Sequence, residues 1–137
     1  DKLNKLIISY NLTDNIFLLG SKKNVNKYYY NSKIFIMTSL WEDPGFVLIE
    51  AAINNCFIIS SDCKSGPREI LENGKGGILF KNNDINSFKE IIRKYLKLDE
   101  QELKHMKINV KKNIRKYSML KHYSLLKKLI FKQENQA

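Results

Sequence analysis

The chain has 137 residues, with 24 Lys and Arg against 14 Asp and Glu and a formal net charge of +10 at pH 7. That length can bury one respectable core, so a single domain is the natural count. Two cysteines make no disulfide scaffold, no apolar run is long enough to span a bilayer, and no signal-peptide pattern occurs within these residues.

Short apolar runs alternate with helical patterns along the chain, which predicts an α/β fold with a mostly parallel sheet covered by helices. Leu3, Leu6, Ile7 and Tyr10 share one face of an opening helix and are expected in the core. Strands are expected near 16–19, 33–38, 57–60 and 77–80.

Between the second and third of these strands, Trp41-Glu42-Asp43-Pro44-Gly45-Phe46-Val47-Leu48-Ile49-Glu50 sets two carboxylates around a glycine that opens an apolar helix. The helix is expected from Phe46 until Asn54-Asn55 stop it. Its first backbone N–H groups, those of Phe46, Val47 and Leu48, lack an intrahelical acceptor, and the dipole makes their end partially positive. An anion such as a diphosphate fits there. Gly45 lets a ligand approach the main chain closely, and Pro44 holds Asp43 extended ahead of the turn. A carboxylate accepts hydrogen bonds from both hydroxyls of a vicinal diol. Glu50 is therefore placed to take a ribose and Glu42 the sugar beyond the phosphates, which is a layout for holding a sugar nucleotide. Trp41 is expected in packing, with stacking on a sugar as the alternative.

After the strand at 57–60, Ser65 is expected to cap a helix beginning at Gly66-Pro67. Ligands of open parallel sheets bind at such strand ends, which makes Ser65 and Gly66 second-rank ligand candidates. Arg68 and Glu69 are expected to pair with neighbours or with solvent. Following Asp84, the residues Ile85, Phe88, Ile92 and Tyr95 form a second core-facing helical stripe.

The charge is unevenly distributed. From 101 to 137 ten Lys or Arg face two Glu, a net +8 that leaves only +2 on the first hundred residues. Helical apolar spacing recurs there at Leu103, Met106, Val110 and Ile114, then at Leu120, Tyr123, Leu126 and Ile130, which predicts two basic amphipathic helices. His105 and His122 fall in this segment and are read as surface or partly buried histidines rather than catalytic bases. Cys56 and Cys63 lack metal-ligand spacing and are expected to be free thiols.

Around Glu42 and Glu50 the sequence resembles the C-terminal, donor-binding domain of the family 4 retaining glycosyltransferases with the two-domain GT-B fold, whose hallmark is two Glu separated by seven residues. The blocks Ile16 to Gly20, Lys33 to Ser39, Ser61 to Leu71 and Gly74 to Phe80 stand in the order of that family, and the resemblance runs from about Leu3 to Leu98. It implies that Glu42 is the catalytic residue and contacts hydroxyls of the transferred sugar. It further implies that Gly45 and the N–H groups of Phe46 and Val47 approach the sugar and diphosphate, and that Glu50 binds the ribose. The family often has glycine after the first Glu, where this chain has Asp43 and then Pro44. Asp43 is read as a turn residue, with a hydroxyl acceptor that narrows donor choice as the alternative, and joins Ser65 and Gly66 among the second-rank donor-site candidates.

The resemblance implies a Rossmann-like parallel sheet with flanking helices, the C-terminal half of a GT-B fold, truncated at its N-terminal edge. Residues 1–100 are expected to form a partial nucleotide-sugar-binding domain and 101–137 a basic amphipathic helical tail of it. In such enzymes the last helix commonly crosses back to the N-terminal domain. No cofactor or metal is implied; the donor substrate is a nucleotide sugar, UDP-hexose being the commonest type. The expected partners are that donor, a glycan or lipid-linked acceptor held by an N-terminal domain, and a peripheral membrane contact, with no specific nucleic acid. The expected setting is the bacterial cytoplasm or the inner face of the cell membrane, in envelope polysaccharide or glycan assembly. The full-length parent is expected to transfer a hexose with retention, whereas this chain alone binds donors weakly and turns over little. Two other classes are a catalytically silent sugar-nucleotide or partner-binding module, and a basic membrane- or nucleic-acid-binding protein whose affinity would fall steeply with salt.

Overall fold

The structure is a computed structural model that describes residues 2–132. Residues 133–137, the end of the expected basic tail, lie outside the described residues. Three strands, β1 (Ile34–Met37), β2 (Phe57–Ser61) and β3 (Ile78–Phe80), form one parallel sheet in the order β1-β2-β3. The register pairs Ile34 with Phe57 and Ile59 with Ile78. Every residue of the central β2 is buried. A parallel strand covered on both faces needs a near-continuous apolar run, which Phe57-Ile58-Ile59 supplies. Ile58 packs into a cluster with Met37, Leu48, Ala51, Ile70 and Val110. Phe57 and Ile59, pointing the other way, join Ile78 and Phe80. The two polar residues that end β2 are satisfied: the Ser60 hydroxyl donates to the Ser61 carbonyl at 2.9 Å and the Ser61 hydroxyl to the Ser39 carbonyl at 2.6 Å.

Two helices, α3 (Phe46–Ile53) and α4 (Pro67–Ile70), supply buried residues to the first cluster. α5 (Ile85–Tyr95) covers the second through Phe88, Ile91, Ile92 and Tyr95. Asp84 caps α5, accepting from the amides of Asn86 and Ser87, and these donors hold its carboxyl below the usual range, that of Ser87 most strongly. α6 (Glu100–Ile114) opens with a reciprocal capping box between Asp99 and Glu102. Its predicted stripe is buried as a bridge between the clusters: Leu103 and Met106 pack on one, Val110 and Ile114 in the other. A 3-10 turn (Arg115–Tyr117) then leads to α7 (Met119–Lys132).

Three expectations need correction. Residues 16–19 form no strand, because no described strand lies beside them to complete a ladder, and their side chains are exposed. The face of α1 (Lys2–Ser9) is not core: Leu3, Leu6 and Tyr10 are exposed and, with Ile7, line a shallow apolar hollow together with Leu12, Ile16 and Leu18. Ile85 sits at the exposed first turn of α5. In α7 the stripe of Leu120, Tyr123, Leu126 and Ile130 forms the expected helix, and its apolar face is exposed.

A short α2 (Asn26–Asn31) precedes β1. Gly76 leaves no room above α6: an added Cβ would lie 2.8 Å from the Val110 Cβ and 2.9 Å from its Cα. Gly76→Ala is expected to destabilise the chain by about 1–3 kcal/mol in urea unfolding, the scale of an overpacked core. The Glu69 carboxyl is held below its ordinary 4.5 first by the Tyr117 hydroxyl and then by Lys116. A depressed folded-state value means that this contribution is present above the ordinary value and lost as pH falls through the folded one. Acid titration of the unfolding midpoint should therefore show a smaller loss below pH ~4.5 in Glu69→Gln than in the parent.

Candidate functional site

Gly45 N-caps α3 in the left-handed region, with φ 81° and ψ 54°, a conformation that costs glycine little. Helix formation leaves the first-turn amides of Phe46 and Val47 without intrahelical acceptors. The Leu48 amide, expected free as well, donates to the Gly45 carbonyl at 3.0 Å, so the anion-facing set is two amides rather than three. Glu42 folds back over Gly45: its Cγ and Oε2 each lie 3.5 Å from where a Cβ on that glycine would sit. The half-buried Glu42 carboxylate thus stands beside the positive end of α3.

The turn carrying Glu42 is held from two sides. The Asp43–Pro44 peptide is cis, and the Pro44 carbonyl lies so close to Gly66 that an added Cβ there would fall 1.7 Å from its oxygen. Trp41 pairs with Lys64 in a parallel bridge. From the loop after β3, the Asn82 side-chain amide donates to the Leu40 carbonyl at 2.8 Å. The three loops that leave β1, β2 and β3 therefore meet at the carboxyl edge of the sheet, where parallel α/β folds place ligands. Around this meeting point Leu40, Trp41, Phe46 and Val47 are exposed. Trp41, expected in packing, has 61% of its surface exposed. A hollow of about 830 Å³ lies elsewhere: Lys33, Phe57, Tyr95 and Lys104 line it at the amino ends of β1 and β2.

Glu50 follows one helical turn into α3. It is exposed, and its Oε2 accepts a hydrogen bond from the Tyr29 hydroxyl at 3.2 Å. The Asn54 amide donates to the Glu50 carbonyl at 2.9 Å and ends the helix, with Asn55 turning at φ 68° as the asparagine pair predicted. Asp43 is exposed in the turn. Ser65 is not a cap: Gly66 is the N-cap residue of α4, with no side-chain cap bond, and Ser65 itself is exposed at φ 66°. Glycine at 66 is what the close approach of Pro44 demands, and the cap position moves to it for that reason.

Arg68 forms a two-pronged pair with Asp62, Nε to Oδ1 at 3.0 Å and Nη2 to Oδ2. Glu69 accepts from Tyr117 at 2.6 Å and pairs with Lys116 at 2.9 Å. Both are thus paired with neighbours, as expected. His105 contacts Asn109 on its own helix at 3.4 Å, and His122 lies on α7; neither is on a converging loop. Cys56 and Cys63 are buried free thiols. Burial pushes the Cys56 thiol up, and its sulfur donates to the Tyr29 carbonyl at 3.0 Å. Tyr29 and Asn82 are the residues at this site that the sequence did not reveal. Each reaches its partner across more than twenty positions, with no motif to announce it.

The start of α3, with Glu42 before it and Glu50 within it, thus lies at the carboxyl edge of the parallel sheet of an α/β protein, where open sheets of this class place their ligands. The chain belongs to the glycosyl transferases group 1 family, whose model matches residues 1–113. It is 35% identical over 92 residues to a poly(ribitol-phosphate) alpha-N-acetylglucosaminyltransferase of Staphylococcus aureus, an alignment covering 67% of this chain and 19% of that protein. It is 32% identical over 100 residues to an N-acetylgalactosamine-N,N'-diacetylbacillosaminyl-diphospho-undecaprenol 4-alpha-N-acetylgalactosaminyltransferase of Campylobacter jejuni, covering 73% of this chain and 27% of that one. The crystal structure of TarM superposes with a TM-score of 0.78 at 30% identity, over 95% of this chain and 26% of its own. The fold is therefore the Rossmann-like half of a GT-B glycosyltransferase, and the chain spans about a quarter or less of these relatives.

Gly66→Ala is expected to disturb the Glu42 turn before the sheet. Backbone NMR should show the largest amide shifts at Trp41 to Val47, small shifts in α5, and a loss of about 1–3 kcal/mol in stability.

Proposed function

We propose that this chain is the donor-binding part of a glycosyltransferase that takes a nucleotide-diphosphate sugar, with UDP-hexose as the leading donor type. The observation that carries the proposal is the placement of Glu42 against Gly45 at the start of α3, with Glu50 one turn further on. A donor diphosphate set at the Phe46 and Val47 amides brings its ribose towards Glu50 and its sugar towards Glu42. The vicinal hydroxyls of each ring then donate to a carboxylate.

Glycosyl transfer separates charge, positive on the ring and negative on the departing diphosphate. The helix start is preorganised to stabilise the leaving group, and loss of one such donor typically costs about 100–1000-fold in rate. Glu42 is the residue we assign to the reacting sugar, and retention at the anomeric carbon is the proposed outcome. The acceptor, a glycan or a lipid-linked saccharide, would be held by an N-terminal domain of the full-length enzyme, in keeping with relatives named for poly(ribitol-phosphate) and diphospho-undecaprenol substrates. Envelope polysaccharide assembly at the cytoplasmic side of the membrane is the matching role. The exposed apolar residues and lysines of α7 suit a peripheral contact with an anionic membrane surface. No helix among the described residues is long and apolar enough to cross a membrane.

Ligand-observed NMR with UDP, GDP and ADP in turn tests the donor site. One nucleotide should bind saturably, and Glu50→Ala should weaken it by about tenfold or more, the scale of a charge-assisted hydrogen-bond pair. Glu42→Ala should leave the nucleotide diphosphate nearly unaffected while removing the added affinity of the corresponding nucleotide sugar. Binding of all three nucleotides that falls steeply with salt and ignores Glu50 would instead identify a basic polyanion-binding surface.

A further inference from the structure

Three consecutive tyrosines lie within α2, and they differ in what surrounds them. Tyr30 is exposed, and Tyr28 lies under the Lys27 ammonium, 5.1 Å from its ring centre. Tyr29 alone is anchored along its whole length. Its carbonyl accepts from the buried Cys56 thiol at 3.0 Å. Its ring packs against the core cluster and meets Phe35 of β1 edge-on, with centroids 5.5 Å apart. Its hydroxyl donates to Glu50 at 3.2 Å. An exposed glutamate on a helix ordinarily samples several rotamers, and ordering it on binding costs free energy. A donor held by Cys56 and by Phe35 of β1 restricts that freedom before a ligand arrives.

From this geometry we infer that Tyr29 is a positioning residue for the Glu50 carboxylate, holding Oε2 so that the carboxylate is presented to the 2′- and 3′-hydroxyls of a bound nucleotide's ribose. The inference rests on the ribose role assigned to Glu50 above. One phenol occupies one of roughly four acceptor positions of a carboxylate, so the diol can still donate beside it. The link also ties α2 and β1 to the ligand. Tyr29 belongs to the same packed unit as Phe35 and Cys56, so the rigidity of the sheet reaches a side chain that is otherwise in solvent. Burial, and the negative charge of Glu50 next, push the Tyr29 hydroxyl up to about 12. It therefore remains a donor throughout the physiological pH range.

Tyr29→Phe keeps the ring, its packing on Phe35 and the backbone contact to Cys56, and deletes only the hydroxyl. Isothermal titration of the chain with whichever of UDP, GDP or ADP binds, and with its 2′-deoxy counterpart, reads the effect. The expected result is about three- to tenfold weaker binding of the ribonucleotide, the scale of one hydrogen bond to a charged group, with the 2′-deoxynucleotide changed much less. In the Glu50→Ala background the same substitution should have almost no further effect, because the two residues act as a unit. A second measurement needs no ligand: the Tyr29 ring Cζ resonance in a 13C-tyrosine-labelled chain should move in Glu50→Gln. Equal weakening of both nucleotides, additive losses in the double variant, or an unmoved Cζ resonance would each overturn the inference. If the parent binds a ribonucleotide through Glu50 and Tyr29→Phe binds it unchanged, the positioning role fails while the ribose role stands. If Glu50→Ala leaves binding intact, the ribose role itself fails and the inference with it.

Discussion

The parallel pairing of β1 with β2 is the constraint on which the rest depends. Because Ile34 to Met37 run beside Phe57 to Ser60 in the same direction, the chain leaves both strands at one edge of the sheet. The turn carrying Glu42 and the turn carrying Gly66 are thereby forced together. Contact is so close that the Pro44 carbonyl occupies the space a side chain at 66 would need. The bridge between Trp41 and Lys64 and the bond from Asn82 to Leu40 extend the same convergence to all three strand ends. A carboxylate in a loop gains a fixed position only through such packing, and that position relative to the start of α3 is what gives Glu42 and Gly45 chemical meaning.

Binding energy and rigidity are distributed differently over the molecule. The two clusters around β2 bury Leu48, Ile58, Ile59, Ile70, Leu71 and Val110 almost completely, and α6 joins them across the sheet. The segments at 16–19, α1 and α7 carry as many large apolar residues and bury few of them. Apolar surface of this extent ordinarily marks a place where another surface packs. The site lies on the well-packed part: α3 contributes Leu48 and Ala51 to the core from one face and presents Glu50 from the other. The side chains assigned to the proposed site therefore stand on the well-packed framework around β2, as a preorganised site requires.

Much of this was legible in the residues. The strands β1, β2 and β3 stood out as apolar runs because a doubly covered parallel strand tolerates little else. α3 was marked at both ends, by Gly45 before it and by Asn54-Asn55 after it. Periodicity located the core-facing stripes of α5 and α6 for the same reason, that a helix presents a repeating face. Periodicity failed where it was asked whether a face has a partner. The stripes at Leu3 to Tyr10 and Leu120 to Ile130 are as regular as those of α5 and α6, yet they are exposed. An amphipathic pattern records a capacity for burial, whereas burial itself needs a second surface.

The sequence by itself determined the local chemistry of this protein: the glycine that opens α3, the two glutamates on either side of it, the apolar runs and their direction of pairing, and membership of a glycosyltransferase family. Those properties depend on residues near one another in the chain, where spacing and backbone preference act directly. Only the tertiary structure decided that Gly66 rather than Ser65 caps α4, that Leu48 spends its amide on Gly45, that Trp41 is exposed, and that Tyr29 and Asn82 belong to the site. Each of those outcomes turns on a contact or on competition for space. Two of them span residues 22 and 21 apart, Gly66 with Pro44 and Tyr29 with Glu50. Contacts at such separations are fixed by how the strands and helices pack, which no local pattern of residues encodes.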